Sequence, residues 1–216
     1  MKEVSIIIPV FNREKLLSRA IRSCLNQDFD KSKIEIIVIN DGSTDNSKEE
    51  IQKFSDEIIY LEHKTNLGLP NARNTGIKAS KGRYIFNVDS DDFIHPNTIS
   101  TLMVAANLLP SFSCITCDYV FTDQNDYKSE IISFNDNPIA CGILFKRQVL
   151  FDIGLYDEDF KINEEKDLWL RLKNKKLKIK NIPIPFYRYF KHDSNLSSSK
   201  EMKKYDQKLK SKHNEL

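Results

Sequence analysis

The sequence predicts an α/β fold built on a mostly parallel central sheet flanked by helices, and three observations carry that prediction. Residues 4–10 and 34–39 are near-continuous apolar runs rich in Ile and Val, the composition of strands buried on both faces. Segments of helical period separate the strand-like runs, so strand and helix alternate through the first half of the chain. A further run, Tyr84-Ile85-Phe86-Asn87-Val88, breaks off into Asp89-Ser90-Asp91-Asp92, which puts three carboxylates at a strand end. Open sheets of this kind bind ligands beyond the carboxyl ends of their strands, near a switch in strand order.

Each element follows from its own pattern. After the strand at 4–10, Asn12 reads as the N-cap of a helix over 13–26, in which Leu16, Leu17, Ala20, Ile21, Cys24 and Leu25 recur at helical spacing. The strand at 34–39 leads through a turn rich in Asp, Gly and Ser to a helix over 44–54. A short strand at 58–61, a helix over 70–79 and the strand at 84–88 complete this half. Beyond Pro96 the pattern loosens into a helix over 97–108 and strands at 114–122, 129–132 and 142–145. A helix over 164–172 carries Leu168, Trp169 and Leu172 on one face, and strand-like pieces at 179–182 and 186–190 follow. There is no internal repeat or low-complexity linker, and the second half is expected to fold onto the first and wall a cleft.

Composition narrows the partners. With 216 residues, 40% of them hydrophobic, the chain can bury one sizeable core. Lys and Arg number 33 against 31 acids, a formal charge of +2, which gives nucleic acid no support as a partner. The N-terminal apolar run is interrupted by Pro9 and Asn12, too soon for a signal peptide or membrane span, so a cytoplasmic location is the default expectation. The Cys114-Ile115-Thr116-Cys117 spacing lacks the second ligand pair of a zinc site. Cys24, Cys114, Cys117 and Cys141 are therefore expected to be buried free thiols.

Two strand-end segments carry chemistry. The carboxylates of Asp89, Asp91 and Asp92 repel one another unless a cation sits among them, and a hard oxygen cluster suits Mg2+ or Mn2+. A solvated turn is the plain alternative, since Asp and Ser are common turn residues. Asn40-Asp41-Gly42-Ser43-Thr44-Asp45 offers a carboxylate to the N3–H of a uracil-type base, or serves only as an Asx turn and helix cap. The G-x-G-x-x-G fingerprint and the P-loop are both absent. Phosphate charge would then be met by metal or by basic side chains.

The ordered set SIIIPVFNR, VINDGSTD, NLGLPNARNTGI, GRYIFNVDSDD and NEEKDLWLRL resembles the family 2 glycosyltransferases, nucleotide-sugar transferases of the GT-A fold, over residues 4–197. That resemblance implies a Rossmann-like nucleotide-sugar-binding half at 1–95, a smaller mixed acceptor-binding half of the same domain at 96–198, and a basic tail at 199–216. It implies that Pro9, Val10 and Asn12 line the nucleoside pocket, that Asp41 reads uracil and that Arg73 lies against the base or diphosphate. A surface ion pair is the plain reading of Arg73. Asp89-Ser90-Asp91 would be the DxD motif, with Asp91 as first metal ligand, Asp89 near the ribose and Asp92 as second carboxylate. His192 would approach the metal or the diphosphate, and Trp169 would lie under the acceptor, although its helical spacing equally suits the core.

Similar proteins place the acceptor-activating carboxylate in a Glu-Asp pair ahead of the last long helix. In this chain the pair is Glu164-Glu165, so Glu165 stands where the family has Asp. Either the helix start compensates for the extra methylene, or Glu164 or Asp167 takes over. The implied reaction is an inverting, metal-dependent transfer of one sugar from a nucleotide-sugar, UDP-linked by expectation and dTDP-linked equally compatible. The implied acceptor is a hydroxyl of a saccharide or lipid-linked molecule in bacterial surface glycan synthesis, and Mn2+ or Mg2+ is the implied cofactor. The substitution at 165 leaves open a non-catalytic nucleotide-sugar-binding or complex-assembly subunit. In the tail, Met202, Tyr205 and Leu209 form a thin apolar stripe among lysines, either a peripheral contact with the inner face of an anionic membrane or a solvated helix.

Overall fold

The computed structural model describes residues 1–125, 129–192 and 202–213. Its strands are β1 (Val4–Val10), β2 (Ile34–Asn40), β3 (Ile59–Glu62), β4 (Tyr84–Asn87), β5 (Phe93–Ile94), β6 (Cys114–Thr122), β7 (Ile143–Lys146) and β8 (Ile179–Phe190). They form an eight-stranded sheet in the order β3-β2-β1-β4-β7-β6-β8-β5. The first four of these pair in parallel. β7 runs antiparallel to both β4 and β6, and β5 antiparallel to β8, while β6 and β8 are parallel. The chain steps outward from β1 to β3 and then returns to the other side of β1, so the switch in strand order falls between β1 and β4.

The helices are α1 (Leu17–Leu25), α2 (Ser47–Gln52), α3 (Leu69–Ala79), α4 (Thr98–Leu108), α5 (Arg147–Asp152), α6 (Glu164–Asn174) and α7 (Met202–His213). Every residue of β1 and β2 is buried because both faces are covered. Ile6 and Ile8 pack with Leu17, Ile21, Ile51 and Leu102 on one side, whereas Ile7 packs with Ala72, Ile77, Leu150, Leu168 and Leu172 on the other. This is the two-residue period of a strand read out in a three-layer α/β/α stack. Each such fully buried Ile or Leu contributes about 1.5–3 kcal/mol. Trp169 belongs to the second layer, its ring 5.4 Å from that of Phe134 and 6.3 Å from that of Phe145. It is a packing residue in this structure and does not line the cleft.

Several expected boundaries move for local reasons. Asn12 does not cap α1. It takes the left-handed conformation at φ 53, and its Oδ1 accepts from the Thr44 backbone N–H at 2.8 Å, fastening the loop after β1 to the loop after β2. Residues 13–16 form a turn, and α1 starts at Leu17. The expected strand at 129–132 is a single bridge between Tyr119 and Ile132. The two pieces expected at 179–190 are one strand, β8, whose register against β6 shifts on both sides of Asp118. β5 and α5 are too short for periodicity to announce.

Tyr205 of α7 is buried against Phe160 and Ile162, with Leu209 beside it. The tail's apolar stripe, expected to face solvent or a membrane, is thus covered by the chain itself at these two positions. Among the described residues no helix is long and apolar enough to cross a membrane. All four cysteines are free and buried, and burial pushes the thiols of Cys24, Cys114 and Cys117 up to about 12.

At the end of the sheet away from the cleft, Glu35 is a buried acid with three donors on one oxygen. Its Oε1 accepts from Ser5 Oγ at 2.5 Å, from the Lys81 N–H at 2.5 Å and from the Gly82 N–H at 3.2 Å. A Cβ on Gly82 would lie 2.5 Å from Ser5 N and 2.7 Å from the Val4 carbonyl carbon, both backbone atoms that cannot swing away. Gly82→Ala is expected to cost about 1–3 kcal/mol by overpacking, read as a lower urea midpoint; an unchanged midpoint would show that β1 and the turn before β4 are not held this closely.

Candidate active site

A cavity of about 660 Å³ opens at the carboxyl ends of β1, β2 and β4. Pro9, Val10, Phe11 and Arg13 come from the end of β1, Asp41 from the end of β2, Ala72 and Arg73 from α3, and Asp89 to Asp92 from the end of β4. The second half supplies the facing wall, residues 137–141 and 161–166 with Tyr189. Of the residues singled out in the sequence, Pro9, Val10, Asp41, Arg73, Asp89, Ser90, Asp91, Asp92, Glu164 and Glu165 all line this cavity. Asn12 and Trp169 do not, and His192 joins it through Asp91.

Asp41 is 2% exposed and held on three sides. Its Oδ1 lies 2.6 Å from His63 Nδ1 and accepts the Leu67 N–H at 2.9 Å, while Oδ2 accepts the Gly68 N–H at 2.8 Å. A carboxylate has about four acceptor positions, so one remains for a ligand N–H. The next residue, Gly42, has φ 68, and a Cβ there would lie 2.5 Å from the Thr65 carbonyl carbon. Only glycine lets the two loops close around Asp41. Phe11 and Leu67 keep 41% and 52% of their surface exposed beside it, two apolar faces at the same end of the cavity.

The carboxylates after β4 divide their work. Asp91 Oδ2 accepts from Arg13 Nε at 3.2 Å and lies 2.9 Å from His192 Nε2. Its backbone carbonyl accepts from Arg19, whose guanidinium is stacked over Phe93 and Phe190. Asp92, expected as a second metal carboxylate, is instead committed to β8. Its Oδ2 accepts from the Tyr187 hydroxyl at 2.6 Å and its Oδ1 from the Phe190 N–H at 2.8 Å, and burial together with Asp91 and Asp89 pushes its pKa well above the ordinary range. Asp89 turns the other way, accepting from Arg73 at 2.8 Å.

Among the described residues no three His, Cys, Asp or Glu side chains form a cation cage. Asp91 with His192 is a hard oxygen beside an imidazole. That pair fits Mg2+ or Mn2+ when phosphate oxygens and water complete the coordination, which is how Mg2+ is usually held.

Arg73 is the centre of the cavity floor and is fully buried. It donates to Glu164 Oε1 at 2.6 Å and to Asp89 Oδ1 at 2.8 Å, and it faces the Tyr156 ring at 5.3 Å. A surface ion pair does not describe it, because the side chain is buried between Asp89 and Glu164. Burial works against its charge, but Asp89 and Glu164 outweigh that and hold its pKa well above the usual value. One guanidinium cannot neutralise every neighbouring acid. Burial raises the pKa of Glu164 to about 7 despite Arg73, and adjacent Glu165 adds to the rise.

Glu165 is partly exposed and lines the cavity. The helix start is not displaced, because α6 begins at Glu164. Asp167 is fully buried on the far side, accepting from Arg171 at 2.8 Å and from Lys212 at 2.6 Å, with His213 Nε2 2.8 Å away. Those three partners, and its place away from the cavity lining, take it out of contention as a base.

Sequence reasoning missed Arg13, His63 and Tyr187, and gave Phe11 no role although the strand-end rule picks residues 9–12. Arg13 stands beside that segment and could have been found by extending the rule by one residue. His63 and Tyr187 meet Asp41 and Asp92 only through the tertiary fold.

The sequence pattern of the family described as glycosyl transferase family 2 fits residues 5–193. An uncharacterized glycosyltransferase of Rickettsia prowazekii is 34% identical over 186 residues, 78% of this chain and 58% of the relative. A GalNAc(5)-diNAcBac-PP-undecaprenol beta-1,3-glucosyltransferase of Campylobacter jejuni is 31% identical over 210 residues, covering 90% of this chain and 67% of the relative. Among solved structures, S. aureus TarS 1–349 in complex with UDP-GlcNAc superimposes with a TM-score of 0.79 at 21% identity, over 91% of this chain and 61% of that one. A Pyrobaculum calidifontis mannosyltransferase in complex with GDP-Man and Mn2+ gives 0.71 at 16% identity, over 89% and 58%. The chain therefore spans about three fifths of the Rickettsia relative and of these two structures. With a GT-A sheet and a family pattern that runs from β1 to the residue after His192, this chain belongs to glycosyl transferase family 2.

Proposed function

We propose that this protein is an inverting glycosyltransferase that moves one sugar from a UDP-linked donor to a hydroxyl of a saccharide or lipid-linked acceptor in bacterial surface glycan synthesis. The observation that carries the reading is a single cavity lined by Asp41 and Phe11, by Asp91 and by Glu165, with His192 bonded to Asp91. The UDP-GlcNAc held by TarS and the lipid-diphosphate acceptor named for the Campylobacter relative supply the substrate classes.

Asp41 accepts the N3–H of the base while Phe11 offers its ring to the base face. The ribose lies toward Asp89 and Ser90. A divalent cation held by Asp91, His192 and the diphosphate would offset the charge that grows on the leaving group. Glu165 accepts the proton of the acceptor hydroxyl as that oxygen bonds to the anomeric carbon, and the bond from that carbon to the diphosphate breaks on the opposite face. The proton ends on Glu165 and the electron pair on the diphosphate. Glu164 is not the base, because its Oε1 is engaged by Arg73 at 2.6 Å and its task is to hold the start of α6. A peripheral membrane contact would rest on the lysines of the tail, since Tyr205 and Leu209 are packed inward.

Replacing Glu165 by Gln is expected to lower turnover by about 10²- to 10⁴-fold while calorimetry shows donor affinity close to wild type; parallel loss of both would reassign Glu165 to donor binding. Asp91→Ala should abolish the dependence of UDP-sugar binding on Mn2+. Equal affinity of the wild-type protein with Mn2+ and with EDTA would overturn the metal assignment. The titration of Glu164 has a signed consequence for stability. Its pKa in the fold, about 7, stands above its ordinary 4.5, so its contribution is fully present below pH 4.5 and is lost as pH rises through 7. Between pH 4.5 and 8 this amounts to about 3 kcal/mol at most. Urea titrations of Glu164→Gln should show a flatter decline over that range than wild type, and identical slopes would place Glu164 outside the titrating set.

A further inference from the structure

The family pattern ends at residue 193, and α7 lies beyond it. Within the described residues the helix makes its contacts with one stretch of chain, residues 157–167, which carries the base candidate and the wall of the cavity at Lys161 to Lys166. Tyr205 packs on Phe160, their ring centroids 6.4 Å apart, and on Ile162. Lys208 donates to the Asp159 carbonyl at 2.9 Å, and Lys212 to Asp157 at 2.7 Å. Asp206 accepts from Asn163 Nδ2 at 2.8 Å and lies 3.6 Å from Lys166. Lys212 and His213 meet Asp167, a fully buried acid in the first turn of α6.

The geometry of Asn163 makes one of these contacts decisive. It precedes Glu164 directly, is buried, and adopts the left-handed conformation at φ 67. A non-glycine residue holds that conformation at a cost and persists in it where its surroundings over-determine it. Asn163 does not use its side chain to cap α6. That side chain is spent on Asp206, so the turn that aims the first residues of α6 is tied from outside by α7.

We propose that α7 is a clasp whose Asp206 and Tyr205 are positioning residues for Glu165, holding the 157–167 segment so that the carboxylate meets the acceptor at the right distance. The longer Glu side chain at 165 makes that support matter more, because it has one more rotatable bond to be fixed than Asp. This inference rests on the proposed role of Glu165. It leaves donor binding to the loops after β1, β2 and β4, away from the residues 157–167 that Tyr205, Asp206, Lys208, Lys212 and His213 meet.

The test uses the full chain with Asp206→Ala, Tyr205→Ala and the conservative Asp206→Asn, which keeps an oxygen to accept from Asn163. Both Ala variants are expected to lower kcat by roughly 10- to 100-fold, the scale of a misplacement of about an ångström, with UDP-sugar affinity within about twofold of wild type. Asp206→Asn is expected to recover most of the rate. Wild-type kcat in both Ala variants, or loss of donor affinity in step with kcat, overturns the clasp. Hydrogen exchange on the same proteins gives a readout independent of activity. Faster exchange confined to 157–167 in the Ala variants supports the clasp even where wild-type transfer itself fails and the enzymatic reading falls with it. Unchanged exchange there removes it.

Discussion

Arg73 and its two carboxylates are the constraint on which the cavity depends. Asp89 belongs to the strand-end motif of the first half, Glu164 opens α6 in the second, and the guanidinium bonds to both from a helix pressed against β1 and β2. A charge buried this completely is tolerated only when paired and hydrogen-bonded, and removing one partner of such a pair leaves the other uncompensated. The two halves are therefore tied inside the cavity, between the end of β4 and the start of α6. Burial is what raises the pKa of Glu164, and the guanidinium it shares with Asp89 offsets only part of that rise.

A second buried junction repeats the principle on the other side of the motif. Asp92 takes the Tyr187 hydroxyl and the Phe190 N–H, which pins β8 to the end of β4 although the two are separated by β7 and β6 in the sheet. The same strand delivers His192 next to Asp91. Four consecutive residues after β4 thus face three ways: Asp89 toward α3, Asp91 toward the loop after β1 and toward His192, and Asp92 toward β8. Each carboxylate thus has its own partners, although Asp91 and Asp89 still act with burial to raise the pKa of Asp92. In the proposed reading a cation would serve one carboxylate and a diphosphate, not a cluster of three.

How much of this was legible in the sequence follows from the range of the interactions involved. Apolar runs buried on both faces announce themselves, so β1, β2 and β4 and the helices between them could be placed from periodicity, and the strand-end rule then found Asp41 and the acids after β4. Asn12 was misread because a short polar residue before an apolar helix looks like a cap, while its left-handed backbone and its bond to Thr44 are tertiary facts. Trp169 satisfied two patterns at once, and packing against Phe134 and Phe145 decided between them. Asp92 is indistinguishable from Asp91 in sequence, since what separates them is a tyrosine 95 residues away.

The Glu-for-Asp exchange at 165 need not disable the site. Adding a methylene moves a carboxylate outward and adds a torsion, and both effects could spoil a proton transfer that demands contact within hydrogen-bond reach. The helix begins at Glu164, so residue 165 sits in its first turn. What the structure offers is rigidity around the longer side chain: Glu164 locked to Arg73, Asn163 held in its left-handed turn by Asp206, and Asp167 bonded to Arg171, Lys212 and His213. A longer arm on a fixed shoulder samples fewer positions than the same arm on a mobile loop. An acceptor whose hydroxyl sits slightly farther from α6 would then suit Glu better than Asp, which would make position 165 a gauge of acceptor geometry as well as the site of the proposed base.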